Sequence, residues 1–494
     1  MTLMCPNHPA VCSRFLRRLA GAGMAALLAG CAAGPTYHRP AVATPAAFKE
    51  AAGWKTAAPA EAAPRGPWWE EFGDPELNDL EARVATANQT LLQAEANYEQ
   101  ARQLARADRT TLLPSLSLAG SDTRSRAPVT KTSPVPATVT TYAASLQAAW
   151  EPDLWGRIRR TTESEVAAAQ ASAADLALTR LSLQTTLASN YIALRTLDER
   201  RHLLANAVEA YGRTLTISQN RYNAGVAARS DVVSAQTQLD NARAQLIDVG
   251  VQRAQLEHAI AVLTGRAPAE LTLPPRDTLA LVMPAVPPAV PSDLLERRPD
   301  VAEAERSVAA ANARVGIQVS AWFPSISLSG SDGYEGSPLR DLLTAPNRFW
   351  SLGGQAAETL LDWGQRSADV RGARAAYDAS VANYRQTVLG AFQEVEDNLA
   401  SLRILAEEAQ VEDAAVGEAA EAARIALNEY NAGTVDFTTV ATAQVAELNS
   451  RIAALTILSD RLTASVGLVT ALGGGWTTAD LPDAHGVFSG QPHG

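Results

Sequence analysis

Few side chains in this 494-residue chain are placed to do chemistry. The six histidines, His8, His38, His202, His258, His485 and His493, lack the paired spacing that suits a metal ion, and Met283 is the only methionine beyond the first thirty residues. No Ser-His-Asp set or glycine-rich phosphate loop occurs in a suitable context. Carboxylates such as Glu394, Glu396 and Asp397 read as a solvated helix face. These residues predict neither an enzyme nor a cofactor. Of the three cysteines, Cys31 stands out by its place, directly after Leu28, Ala29 and Gly30.

Arg14, Arg17 and Arg18 precede a short apolar run from Leu19 to Gly30, the charged and apolar regions of a secretory signal and too short to span a bilayer. Leu28-Ala29-Gly30-Cys31 resembles the end of a bacterial lipoprotein signal, which implies that residues 1–30 are removed and that Cys31 becomes the lipidated first residue. The plainer alternative is a small-residue cleavage site beside an incidental cysteine. Ala32, in place of the aspartate associated with inner-membrane retention, implies the outer membrane. Cys5 and Cys12 leave with the signal, so no intramolecular disulfide is expected despite the oxidising compartment. Losing the three arginines takes the net charge from −11 to −14, which argues against nucleic acid and favours cations in an enclosed path. No later segment approaches the roughly eighteen apolar residues of a membrane helix, so any crossing would use strands.

The elements that organise the chain occur twice. RYNAGV at 221–226 and EYNAGT at 429–434 each close a long proline-free helical pattern, with Tyr222 and Tyr430 in the last turn and Gly225 and Gly433 just beyond, where a left-handed residue ends a helix cheaply. Asp231 and Asp436 follow, suiting the start of a returning helix. One such site alone would be an ordinary helix terminator; two lying 208 residues apart predict paired helical hairpins, with bends at 221–229 and 429–436.

Period-two alternation predicts four strands, at about 115–124, 141–150, 325–333 and 349–361. Leu116 and Leu118 alternate with small polar residues, and Tyr142, Leu146 and Trp150 share one face while Thr141, Ser145 and Gln147 share the other. Strands of about ten residues match a tilted crossing of a hydrocarbon layer. Trp150, Trp155, Trp322, Trp350 and Trp363 flank them, as interfacial aromatics would. A soluble sandwich edge explains the alternation but not the tryptophans. Four strands cannot close a barrel, so several chains must join.

None of the 27 prolines falls between residues 153 and 267 or between 347 and 481. Residues 157–221 predict a rod of roughly 100 Å. Its seam runs Leu176, Arg180, Leu183, Leu187, Asn190, Leu194, Leu197, Arg201, Leu204, Val208, Tyr211 and Leu215, and Tyr384, Val388, Val395, Asn398, Leu402 and Leu405 repeat the register. The return arms, about 230–264 and 437–472, are half as long. Helices predicted at 76–113, with Asp74 and Pro75 at the start, and at about 300–322 would complete the length by stacking end-on.

The chain resembles the TolC-like outer-membrane factors, in the lipoprotein branch often called NodT-like that serves pumps of the resistance-nodulation-division class. The motifs are CAAGPTYHRP at 31–40, WWEEFGDPELNDL at 68–80, EPDLWGR at 151–157, RYNAGV, RRPDVAEAER at 297–306, FPSISLSGS at 323–331, LLDWGQR at 360–366 and YNAGT at 430–434. The layout expected is a signal (1–30), a lipidated extended segment (31–66), a first repeat (67–267), a proline-rich connection (268–299), a second repeat (300–472) and a polar tail (473–494). The fold class is mainly α, with long coiled-coil hairpins and four transmembrane strands per chain. The resemblance implies a homotrimer with a twelve-stranded barrel in outer-membrane lipid and a periplasmic helical barrel. It further implies an adaptor of the membrane-fusion class at the tips, an inner-membrane pump and a passive role in efflux. By position it implies a gate drawn from Ser230, Asp231, Tyr430, Thr439 and Thr442, with Asp231 and Tyr430 as a latch; Asp231 as a helix cap and Tyr430 as seam packing is the plainer alternative. Val435 replaces an arginine of some relatives, and Thr439 and Thr442 stand where an acidic ring often lies. The exit duct of a type I protein-secretion system and a structural coiled-coil envelope lipoprotein are the competing functions.

Overall fold

The computed structural model describes residues 32–45, 47–51, 67–126, 138–284 and 294–489. The signal, Cys31, most of the segment after residue 51, the loop of residues 127–137 and the centre of the proline-rich connection lie outside them.

Two helices dominate, α3 (Arg157–Asn223, 67 residues) and α6 (Gln365–Ala432, 68 residues), each opened by a left-handed glycine, Gly156 or Gly364. Each is followed by a 35-residue return arm, α4 (Arg229–Leu263) or α7 (Phe437–Ala471). An arm covers only half of its rod, and the other half is covered by α2 (Gln89–Thr110) and α5 (Pro299–Ser320). The rods and their covers form four columns in the order α2 over α4, α3, α5 over α7, and α6.

The end-on stacking has a defined chemistry at each junction. Asn88 accepts from Thr90 N and Leu91 N at the start of α2 while its amide donates to Leu263 O at the end of α4, 2.8 Å away. A Cβ on Gly265 would sit 2.3 Å from Ala87 O, so only glycine lets the ends meet. At the second junction Arg298, just before α5, donates to Ala471 O at the end of α7 (3.0 Å) and pairs with Asp300 and Glu394.

This junction corrects the single helix expected at 76–113. The chain breaks at extended Asn88, leaving α1 (Pro75–Ala87) as a separate helix. The reason is capping: Asn88 satisfies three backbone groups by leaving the helical conformation. The start of α1 is as expected, with Asp74 accepting from Glu76 N and proline at the first position.

The seam of α3 also needs correction. Leu187, Leu194, Leu204 and Tyr211 are buried, but Arg180 is exposed, and a second buried stripe runs one position along through Leu181, Gln184, Ala188, Tyr191, Arg195 and Asp198. Its polar members are paired across long sequence distances. Tyr191 donates to Asp74 (2.8 Å), Arg195 pairs with Glu76 and Asp198 and donates to Pro274 O (2.9 Å), and Arg253 reaches Asp198 (2.6 Å) and Leu273 O (2.6 Å). Arg276 pairs with Asp74 and Glu76. The connection after residue 268 is thereby tied to the rod. In α6, by contrast, Tyr384, Val388, Val395 and Leu402 are buried in the register expected.

Two further expectations are revised. Helix α7 is long and apolar enough to cross a membrane by composition, with mean hydropathy 1.5, because it contacts both α3 and α6. The segment after Gly473, expected as a polar tail, has an apolar anchor: Val487 of α8 (Ala484–Ser489) is buried, Arg102 and Arg106 donate to Val487 O and Phe488 O, and Arg109 lies 4.5 Å from the Phe488 ring centre.

Asn88→Ala is expected to cost about 1–2 kcal/mol, the usual loss of an asparagine cap, read as a lower denaturation midpoint. Glu81 of α1 is fully buried with neither carboxylate oxygen hydrogen-bonded, and burial pushes its pKa up to about 9. The folded chain therefore holds a proton there that the unfolded chain releases above its ordinary value, so stability falls as pH rises from about 4.5 to about 9. Glu81→Gln should flatten that slope, making the variant's melting temperature gain on the parent's between about pH 5 and pH 8.5. A parallel pair of pH profiles would exclude it.

Candidate channel wall and hairpin tips

Above the columns, β1 (Ser115–Arg126), β2 (Thr138–Trp150), β3 (Ser325–Gly336) and β4 (Arg348–Ala357) form one antiparallel sheet in sequence order. The register gives it two chemically distinct faces. One row reads Ser117, Gln147, Ser331 and Ser351 from strand to strand, with Ser331 and Ser351 hydroxyls 2.8 Å apart. The opposite face carries Leu116, Leu118, Leu146, Trp150, Leu328, Trp350 and Leu352, all exposed. An apolar face of this size without a protein partner fits contact with hydrocarbon, and a face of serines fits contact with water. Strands β1 and β4 are edges with no further strand beside them among the described residues.

β4 ends at Ala357, short of the expected 361, because Arg366 draws Glu358 (2.6 Å) and Thr359 O toward the start of α6. Trp150, Trp155 and Trp322 gather at the helical end of the sheet. Trp150 donates to Leu112 O (3.0 Å), Trp155 donates to Pro324 O (2.8 Å) and stacks on Phe323, and Arg366 lies 5.0 Å from the Trp322 ring centre. Trp363, largely exposed, also lies there, next to the start of α6, while Trp350 lies toward the loop end of β4.

The segment from Ala32 runs extended along this same region. Ala33 N donates to Trp155 O (2.9 Å), Arg160 donates to Ala33 O (3.2 Å), and a Cβ on Gly156 would lie 2.9 Å from Ala32 Cα. Further on, Tyr37 bonds Glu305 and Arg39 bonds Tyr384 (3.2 Å).

At the far end, Gly225 and Gly433 turn the chain with φ of 76° and 82°. The two bends differ. Asp436 caps α7, accepting from Thr439 N and Thr439 Oγ1 at 3.0 Å, whereas Ala228 stands at the equivalent place of α4 and Asp231 lies within the first turn, with Ser230 Oγ 3.4 Å from its carboxylate. Thr442 Oγ1 donates to Thr438 O (2.8 Å). Tyr430 is 1% exposed: its hydroxyl lies 3.1 Å from Ser218 Oγ, the Arg221 guanidinium sits 4.6 Å from its ring centre and donates to its carbonyl, and Phe437 packs edge-on. Tyr430 thus joins the two hairpins of one chain through Ser218 and Arg221, while Asp231 does not meet it there. Sequence reasoning missed Ser218 and Arg221, although the arginine of RYNAGV against the glutamate of EYNAGT marks an asymmetry.

Between α4 and α7, above Tyr211, lies an open groove of about 630 Å³ that includes Thr237, Gln238, Asn241, Thr442 and Asn449. Among the described residues no cluster of histidine, cysteine or carboxylate side chains could hold a metal ion.

The sequence model of the family described as "Outer membrane efflux protein" matches residues 82–266 and 290–474, two copies displaced by 208 residues. The toluene efflux pump outer membrane protein TtgC of Pseudomonas putida is 30% identical over 91% of this chain and 94% of its own length. The pyoverdine export outer membrane protein OpmQ of Pseudomonas aeruginosa is 28% identical over 91% of this chain and 95% of its own. Among solved structures, the outer-membrane channel OprN superposes with a TM-score of 0.85 at 30% identity, covering 90% of this chain and all of that one. The duplicated rods, the two-faced sheet and these likenesses agree: the chain belongs to the outer membrane efflux protein family, TolC-like channels that form the outer-membrane part of efflux pumps and are transport proteins, not enzymes.

Proposed function

We propose that three copies of this chain join edge to edge into one conduit, anchored by lipid at Cys31, that receives cargo at its hairpin tips from a periplasmic membrane-fusion adaptor and an inner-membrane pump of the resistance-nodulation-division class. One observation carries the ring. Positions 208 residues apart are covered in one copy of the repeat and bare in the other. Leu181 of α3 is 7% exposed and Leu389 of α6 is 56% exposed; Leu455 of α7 is 6% exposed and Ile247 of α4 is 75% exposed. The faces with which α3 and α7 meet inside the chain recur unmatched on α6 and α4, the two outer columns. Joining α6 of one chain to α2 and α4 of the next covers both and brings β4 beside β1. These strands run in opposite directions, so the new pair is antiparallel.

The serine face then lines the passage and the leucine face meets lipid. Two chains would give eight strands, a barrel filled by its own side chains; three give twelve and leave room for a passage. The number three is the one the family resemblance implies. Ala32 lies at the base of the sheet beside Trp155 and Gly156, so acyl chains on the preceding residue would enter the leaflet the barrel already occupies. Relatives of near-equal identity are named for toluene and for pyoverdine, which supports a duct that leaves selection of cargo to its pump.

Native mass spectrometry of the detergent-extracted lipoprotein should give three chains, and planar bilayers should conduct. Val411→Glu, which charges an exposed position of α6, should shift the mass toward single chains. A folded monomer without conductance removes the proposal. Cross-linked envelopes should co-purify the adaptor and pump; recovery of an ATP-binding cassette transporter would favour protein secretion. For the gate, Asp231→Ala should raise resting conductance, and unchanged conductance would discard the latch.

A further inference from the structure

Every arginine of the sheet stands on one of its two outer strands, Arg124 and Arg126 on β1 and Arg348 on β4. Strand alternation puts Arg124 and Arg126 on the face of Leu116 and Leu118, and Arg348 on the face of Trp350 and Leu352. All three therefore share the leucine side of the sheet, and all three are exposed. They also share a level. Arg126 ends β1 and Arg348 begins β4, at the end of the sheet remote from the helices. A twelve-residue strand with the usual tilt rises about 25–30 Å, the height of the apolar band of a membrane barrel, which sets the three guanidiniums at its exterior rim.

Within one chain these charges lie on opposite edges, and the repeat brings them together. Inside the chain β2 meets β3 with Tyr142 opposite Gly336 and Ala144 opposite Tyr334. Pro114-Ser115 recurs as Pro324-Ser325, and Trp155-Gly156 as Trp363-Gly364, which fixes the offset of each strand. The same register at the joint of β4 with a neighbour's β1 sets Trp350 opposite the neighbouring chain's Arg126 and Leu352 opposite its Arg124, with Arg348 on the same face beside Trp350. The joint inside the chain has no charge at these places. Between chains, three guanidiniums share two carboxylates: Asp332, which pairs with Arg348 at 3.2 Å, and Asp122, one step lower on β1. Among the described residues no ion pair uses Arg124 or Arg126. Charges can guard an open strand edge, but that purpose ends once the edge is paired. Gathered at one seam, they repel one another unless an anion joins them.

We infer that each seam between neighbouring chains binds the phosphate of an acylated, phosphorylated sugar, the lipid of the outer leaflet, through Arg124 and Arg126 of one chain and Arg348 of the next, with acyl chains along Trp350 and Leu352. This rests on the ring reading above, and one chain alone holds only part of the site. Guanidinium groups suit the ligand because they take phosphate oxygens two at a time. Position selects the lipid. Phosphatidylglycerol also carries a phosphate, but glycerophospholipid fills the leaflet at the helical end of the sheet, where Ala33 meets Trp155.

Native mass spectrometry of the full-length lipoprotein in detergent, titrated with diphosphorylated lipid A, should show up to three adducts on a three-chain mass. Arg124→Ala together with Arg126→Ala should weaken their binding about twenty-fold, on the scale of about fivefold for each cation facing a charged headgroup layer, with the number of chains unchanged. Arg126→Lys, which keeps the charge and loses the paired geometry, should fall in between. Arg348→Ala removes the third cation from the other side of the seam and should weaken binding about fivefold, a readout that serves even where the double variant does not fold. Dephosphorylated lipid A and phosphatidylglycerol should bind parent and variants alike. Equal affinity of parent and variants for diphosphorylated lipid A, or phosphatidylglycerol held as tightly as lipid A by the parent, overturns the site and, with a three-chain mass, leaves the ring standing. A one-chain mass removes both.

Discussion

A helix of about 100 Å in a folded protein takes most of its stability from packing along its flank, and much in this chain follows from how two such helices are covered. A 35-residue arm reaches half way, so each rod needs a second helix that begins where the arm stops. Asn88 and Arg298 make those meetings possible by giving the last carbonyl of one helix a donor from the start of the next. Since α2 leads into β1 and α5 leads into β3, the same junctions fix where the strands rise. The sheet stands over the columns because the columns end together.

The duplication makes the inside of the chain a template for its outside. The first and second copies meet through α3 on one side and α5 with α7 on the other, and the outer columns present the same two surfaces without partners. A surface that fits a nonidentical surface elsewhere on the same molecule gives a ring when the rotation closes and a filament when it does not. In the proposed ring the backbone imposes closure, because edge strands in hydrocarbon must find partners for every N–H and C=O. The helical region inherits that rotation and needs only modest side-chain complementarity of its own.

Much of this was legible in the sequence because it rests on periodicity and punctuation. Strand alternation located all four strands, the YNAG glycines located both bends, and the absence of proline located both rods. The failures share one cause. Asn88 breaks a pattern that looks continuous because its cap has a partner 175 residues away. The stripe through Gln184, Arg195 and Asp198 reads as polar surface, yet is buried because its partners come from residues 74–76 and from the connection near 273–276. The tail reads as polar, although Val487 and Phe488 dock onto arginines of α2. Local sequence cannot announce a partner of that distance. At the tip the residue types were visible, but their pairing was not: Tyr430 turns inward to Ser218 because α3 and α6 approach there, and no spacing within either hairpin encodes that approach.

The two ends of the conduit are held by different forces, and this decides where it can move. At the sheet, each joint between neighbouring chains would be a ladder of backbone hydrogen bonds in lipid, where a broken bond finds no water to replace it and costs several kcal/mol. At the tips of the proposed ring the joints would be side chains in water, where exposed polar contacts contribute at most about 1 kcal/mol each. A force applied along the tube by a docked partner therefore meets a rigid end and a compliant one. On the assembly proposed above, a duct whose sequence carries no nucleotide loop would be opened by the partner that binds its tips.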